Sequence, residues 1–165
     1  MKLIKLTALS SLFFVFVFGI TSCEKNAEKK KTTDYEKKGI VLSGAQETPA
    51  NPTTALGTMD VFYTKETRIL TYTINWSGLT GAVSAMHIHG LAPSGFPAGV
   101  VQSFTTANIV RCPTTTITSC GSYQGTLLAD GVAVKEDDIL NGVYYVNIHT
   151  ATYPGGEIRG QVRFQ

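Results

Sequence analysis

Ala85-Met86-His87-Ile88-His89-Gly90 decides how this chain is read, together with a distant partner, Val143-Tyr144-Tyr145-Val146-Asn147-Ile148-His149-Thr150. The two stretches hold all three histidines of the chain. Both alternate polar and apolar residues with period two, the pattern of a strand with one buried face. Met86 and Ile88 then face a core, with His87 and His89 on the opposite side. In the second stretch Tyr144, Val146 and Ile148 face inward, and Tyr145, Asn147 and His149 outward. Each stretch therefore places its imidazoles on the outer face of a sheet, and the alternation leaves open whether the two outer faces meet.

Outward from these strands, the composition from Gly39 onward is that of an all-β protein, rich in Thr, Val, Ile, Tyr and Gly, with short runs between turn residues. Strands are expected at Ile40–Ser43, Gly57–Tyr63, Arg68–Trp76, Val83–His89, Val100–Thr105, Ser122–Leu128, Val143–His149 and Glu157–Phe164. Met59, Val61 and Tyr63 share one face of a hairpin with Leu70, Tyr72, Ile74 and Trp76. The segments 44–54 and 90–99 carry prolines and glycines and read as loops. Val134–Asn141 is the only expected helix, one or two turns long, with acids early and Gly142 as its stop. About eight short antiparallel strands with one helical turn predict a Greek-key β-sandwich or barrel.

The front end is of another kind. Lys2 and Lys5 precede an apolar stretch from Ala8 to Ile20, too short for a comfortable membrane span and proportioned as a secretory signal. It ends in Ile20-Thr21-Ser22-Cys23, which resembles a bacterial lipobox. The resemblance implies a signal over 1–22, lipidation of Cys23, and a cell-envelope location held to the membrane by that lipid. From residue 23 to 38 the chain is charged and nearly devoid of apolar side chains, and is expected to be a flexible tether.

The front end holds eight of the fourteen basic and four of the twelve acidic residues. The domain at 39–165 is left with six basic and eight acidic residues, a net charge of about −2. No basic cluster suited to nucleic acid remains. Cys112 and Cys120 flank a threonine-rich stretch, and in an exported protein they are expected to form a disulfide contributing roughly 2–3 kcal/mol. Two thiolates on a metal would call for shorter spacing and a nearby histidine.

Four segments resemble the CHRD (chordin-type) domain: Leu42-Ser43-Gly44-Ala45-Gln46-Glu47-Thr48-Pro49, Ala85–Gly90, Tyr145–Thr150 and Pro154-Gly155-Gly156-Glu157-Ile158-Arg159-Gly160-Gln161. The likeness covers roughly 39–165. It implies a fold and an extracytoplasmic setting but carries no general biochemical activity with it. The function it suggests is a binding or scaffolding module at the cell envelope, with a protein or glycan partner that the sequence does not identify.

The His-x-His strand, the later strand histidine and the terminal Arg-Gly segment are also similar to the copper half of copper/zinc superoxide dismutase. That likeness implies His87, His89 and His149 as ligands of one copper or zinc ion, with possible redox activity. The chain has no fourth histidine to bridge a second metal. His87 and His89 lie two strand rises apart, roughly 6.5–7 Å at the backbone, so both rings can lean toward one ion. Glu157 is a candidate acceptor to orient one of the rings, with Arg159 beside it. The alternative is that the histidines are ordinary polar residues on a solvated face, and that Glu157 and Arg159 are surface charges. Other enzyme chemistry has little support: Ser84 and Ser122 lack a nucleophile elbow, and Glu136-Asp137-Asp138 suits a helix N-terminus.

Overall fold

The computed structural model describes residues 34–112 and 119–165. The expected signal, Cys23, the tether as far as residue 33 and the threonine-rich stretch at 113–118 lie outside the described residues. Among the described residues the chain forms nine strands: β1 (Asp34–Ser43), β2 (Leu56–Thr64), β3 (Ile69–Ser77), β4 (Val83–Gly90), β5 (Val100–Ser103), β6 (Val110–Arg111), β7 (Gly121–Leu128), β8 (Tyr144–Thr150) and β9 (Ile158–Gln161). One short helix, α1 (Glu136–Leu140), precedes β8, and Gly142 with φ +72° ends its turn as the sequence suggests.

The strands form one antiparallel sheet in the order β5-β4-β8-β9-β1-β2-β3-β7-β6. The all-β class is as expected, realised as a single curled sheet, a half-barrel, rather than two separate layers. Gln102 of β5 spans the gap between its two ends. It donates from Nε2 to the carbonyl of Thr126 in β7 at 2.9 Å and accepts from the Tyr72 hydroxyl in β3 at 3.1 Å.

The alternation read from the sequence sets the inner face. Met59, Val61 and Tyr63 of β2, Leu70, Tyr72, Ile74 and Trp76 of β3, Met86 and Ile88 of β4, and Tyr144, Val146 and Ile148 of β8 all enter one apolar core. Phe104, just past β5, joins this core and stacks on Tyr123 at 4.7 Å and on Tyr72 at 5.2 Å. Burying such rings is the largest favourable contribution to folding. Cys112 and Cys120 are joined in a disulfide, their Cα atoms 5.7 Å apart.

The tether expectation needs correction at its end. Asp34 to Lys38 belong to β1, where Tyr35 pairs with Tyr63 and Lys37 with Val61 of β2. Tyr35 anchors this segment: its ring meets Phe164 edge-on at 5.8 Å, while the neighbouring charges stay exposed. β1 thus includes five residues that precede Gly39.

Candidate functional site

β8 is buried on both faces along its whole length. Its inner side chains belong to the apolar core. Its outer side chains, Tyr145, Asn147 and His149, lie beneath three loops: 44–55 after β1, 91–99 after β4, and 151–157 before β9. The flanking strands are in register with it, His87 and His89 of β4 opposite Asn147 and Tyr145, and Arg159 of β9 opposite Asn147 on the other side. The result is a second interior, polar and roofed by loops. Strand parity predicts the direction of these side chains; the roof is a tertiary feature.

The three histidines meet there. His87 Nδ1 lies 3.0 Å from His149 Nε2, and one ligand nitrogen from each ring falls within 4.8 Å of the others. A zinc ion bound tetrahedrally at ~2.0–2.1 Å spaces its nitrogens roughly 3.3 Å apart. The His87–His149 pair is already close to that spacing.

The chemistry of the partners fixes the protons. His89 Nδ1 is 2.9 Å from the Ala98 carbonyl, and His149 Nδ1 is 2.9 Å from the Pro154 carbonyl. A carbonyl only accepts, so each Nδ1 carries the hydrogen. In a neutral ring Nε2 then keeps a bare lone pair. Both lone pairs point at Asn147 Oδ1, at 3.0 Å from His89 and 2.9 Å from His149. That oxygen is also only an acceptor. His87 can give its Nδ1 hydrogen to His149, which leaves His89 Nε2 facing an acceptor. A cation among these atoms removes the conflict, as would a proton on His89 Nε2 or a reversed Asn147 amide, and backbone-anchored imidazoles of this kind are the usual form of metal ligands.

Burial lowers the pKa of His87, with the charges of His149 and His89 adding to it. Burial likewise lowers that of His149; the Pro154 carbonyl opposes this and His89 reinforces it. Neutral rings, the metal-binding form, are thereby favoured.

Around this cluster the structure corrects the reading of Glu157 and Arg159 as surface charges. Glu157 is fully buried and Arg159 is 2% exposed. Nor does Glu157 orient an imidazole. Its Oε1 accepts from the Thr53 hydroxyl and the Thr80 backbone N–H, each at 2.9 Å, and its Oε2 from the hydroxyls of Thr80 at 2.8 Å and Thr150 at 2.6 Å. Burial would raise its pKa, but these bonds outweigh that and hold it below the ordinary value. Three threonines scattered over the sequence thus claim the carboxylate expected to orient a ring.

Arg159 acts through an aromatic ring. Its guanidinium lies 3.4 Å from the centre of the Tyr145 ring, and the other face of that ring is parallel to His89 at 4.8 Å. It also donates to the Thr48 hydroxyl at 3.2 Å and to Gln161 Oε1 at 3.3 Å. Arg159, Tyr145 and His89 therefore form one stack across β9, β8 and β4.

Asn147, Tyr145 and Glu47 were not singled out by the sequence. The first two share the outward parity of His149, a signal that was available. Glu47 lies in the loop after β1 and is buried beside Gly156. Burial pushes its carboxyl up to about 7, against the Thr48 backbone N–H, the Arg159 charge and the Asn147 amide. Its Oε1 has no well-formed hydrogen bond; the Asn147 amide only faces it. Gly156 has φ +126°, and a Cβ there would collide with the Glu47 carboxylate. Gly90 is equally constrained, since a Cβ would run into the Tyr144 ring.

A shallow cavity of about 210 Å³, lined in part by Glu47, Thr48, Tyr153, Pro154 and Gly156, opens on this side. A larger one of about 410 Å³ lies along β1, β2 and β3, lined by Val41, Leu56, Thr58, Asn75 and Trp76 among others, and has no titratable carboxyl or imidazole. No helix among the described residues is long and apolar enough to cross a membrane.

Fold and site together define an all-β antiparallel domain of binding-module type, with a polar interior built on its loops. The chain belongs to the CHRD domain family, whose model matches residues 39–162. No curated protein and no solved structure matches it.

Proposed function

We propose that this CHRD domain holds one copper or zinc ion through His87, His89 and His149, on a protein lipid-anchored to the cell envelope through Cys23. The observation that carries the metal reading is the convergence of imidazole lone pairs whose Nδ1 hydrogens are committed to the Ala98 and Pro154 carbonyls. Nitrogen donors favour copper or zinc over calcium or magnesium. The lipid reading rests on the sequence around Cys23.

The test is metal analysis of the purified full chain in detergent, beside a His87→Ala/His149→Ala variant. One equivalent of zinc or copper on the wild type and little on the variant is expected. Equal, near-zero retention in both removes the metal reading. For the anchor, Cys23→Ala is expected to move the protein from the membrane to the soluble fraction, and unchanged membrane association counts against it.

A second reading is a binding or scaffolding module for an envelope protein or glycan, in which the histidine cluster only fastens the loops. The fastening itself favours it: both Nδ1 bonds end on loop backbone. Under that reading the double variant loosens the loops and no metal is found in either protein.

A further inference from the structure

The geometry points to Asn147 as the fourth donor of the metal centre, making a closed site of three nitrogens and one oxygen. This rests on the metal reading above and assigns a ligand and a coordination state to it. Asn147 sits in the middle of β8, paired with His87 on one side and Arg159 on the other, and is 3% exposed. Its Oδ1 is 3.0 Å from His89 Nε2 and 2.9 Å from His149 Nε2. In a tetrahedral zinc site, donors on one ion stand roughly 3.3 Å apart. The oxygen therefore already occupies a ligand position relative to both rings.

The direction of the amide follows from its other neighbour. The –NH₂ end faces the Glu47 carboxyl, which in its ionised form only accepts, and this turns the oxygen toward the imidazoles. With the amide reversed, its N–H groups would bond the two rings and its oxygen would confront the Glu47 carboxylate. An ion at the cluster replaces two acceptor-to-acceptor contacts with coordination bonds. Ligated through Nδ1, His87 carries its hydrogen on Nε2 instead. Glu47 then supplies a negative charge one amide away from the metal.

Four protein donors leave no open position, the coordination of a site that holds an ion rather than one that turns over substrate. A set of three imidazoles and a carboxamide oxygen suits zinc or copper(II) and lacks the soft sulfur that favours copper(I).

The test uses cobalt(II) as a spectroscopic substitute for zinc, on the full chain in detergent. In wild-type protein labelled with ¹³C at the asparagine carboxamides, cobalt is expected to move one carboxamide resonance far outside the diamagnetic range. Asn147→Ala is expected to weaken cobalt binding at least tenfold and to change the visible d–d spectrum. Asn147→Asp, an acceptor in either orientation, is expected to bind at least as tightly as wild type. A cobalt-binding wild type with no displaced carboxamide, or an Asn147→Ala variant with unchanged affinity and spectrum, overturns the assignment and leaves the three-histidine site standing. A wild type that binds no cobalt, zinc or copper overturns both. The labelled wild type gives its answer even if a variant fails to fold.

Discussion

His87 Nδ1 and His149 Nε2 come within 3.0 Å of each other across 62 residues of sequence. Burial and neighbouring imidazoles hold the pKa of both rings below the ordinary value, and a proton and a metal ion compete for the same lone pairs.

His87 and His149 have folded-state pKa values below the ordinary 6.5. Below 6.5 the unfolded chain binds more protons than the folded one. Stability contributed by the neutral rings is therefore present above 6.5 and falls as pH drops toward the folded values. Thermal melts between pH 8 and pH 5 should show this loss, and a His149→Gln variant should show less of it. Under the metal reading, zinc at a hundredfold excess over its Kd should add about 3 kcal/mol at pH 7.5 and little at pH 5. Equal zinc stabilisation at both values would contradict proton competition.

Glu47 runs the other way. Its carboxyl is raised from 4.5 to about 7, mainly by burial. The folded state then binds more protons between those values, and the charged carboxylate costs stability as pH rises through them. Glu47→Gln should stabilise metal-free protein by about 1–3 kcal/mol at pH 8 and by little at pH 4.5. Urea titration at both pH values measures it. A Gln variant less stable at pH 8 would show that the charged form is what the fold needs.

Glu157 is an anion satisfied by threonines. Its depressed pKa means stability present above 4.5 and lost as pH falls through the folded value. Glu157→Gln should cost about 2–4 kcal/mol at pH 7 in a denaturant titration, because an amide cannot accept at both ends from three hydroxyls and a backbone N–H. Thr80→Val and Thr150→Val should each cost less. Their effects should not add to that of Glu157→Gln, since all three act on one network.

Arg159 is held by a ring and by hydrogen bonds. Arg159→Lys keeps the charge but loses the planar stack on Tyr145, and should cost about 1–3 kcal/mol. Fluorescence and circular dichroism melts measure the loss. A lysine variant as stable as wild type would show that charge alone matters at this position.

Much of this fold is legible in the sequence, and so is half of the site. The inner face follows from period-two alternation because one side of each strand is covered by a continuous apolar core. Met59, Val61 and Tyr63 and their partners in β3 needed nothing more. The histidines were placed on the correct side for the same reason. What alternation does not convey is that the opposite side is covered as well. The cover comes from the loops around Glu47, Ala98 and Pro154, whose proline- and glycine-rich sequences have no period to read. Glu157 and Arg159 therefore read as surface charges although both are buried. The partners of Glu157 were illegible because Thr53, Thr80 and Thr150 reach it only through the closed fold.

Because β8 carries hydrocarbon on one flank and hydrogen-bonding groups on the other, it fits its slot in only one alignment. Sliding it by a single residue would thrust Asn147 and His149 among the aliphatic side chains and strand Val146 and Ile148 beside carboxylates and guanidinium. The histidine cluster is in this sense also a proofreading device: it penalises a mis-threaded sheet, with or without an ion to hold.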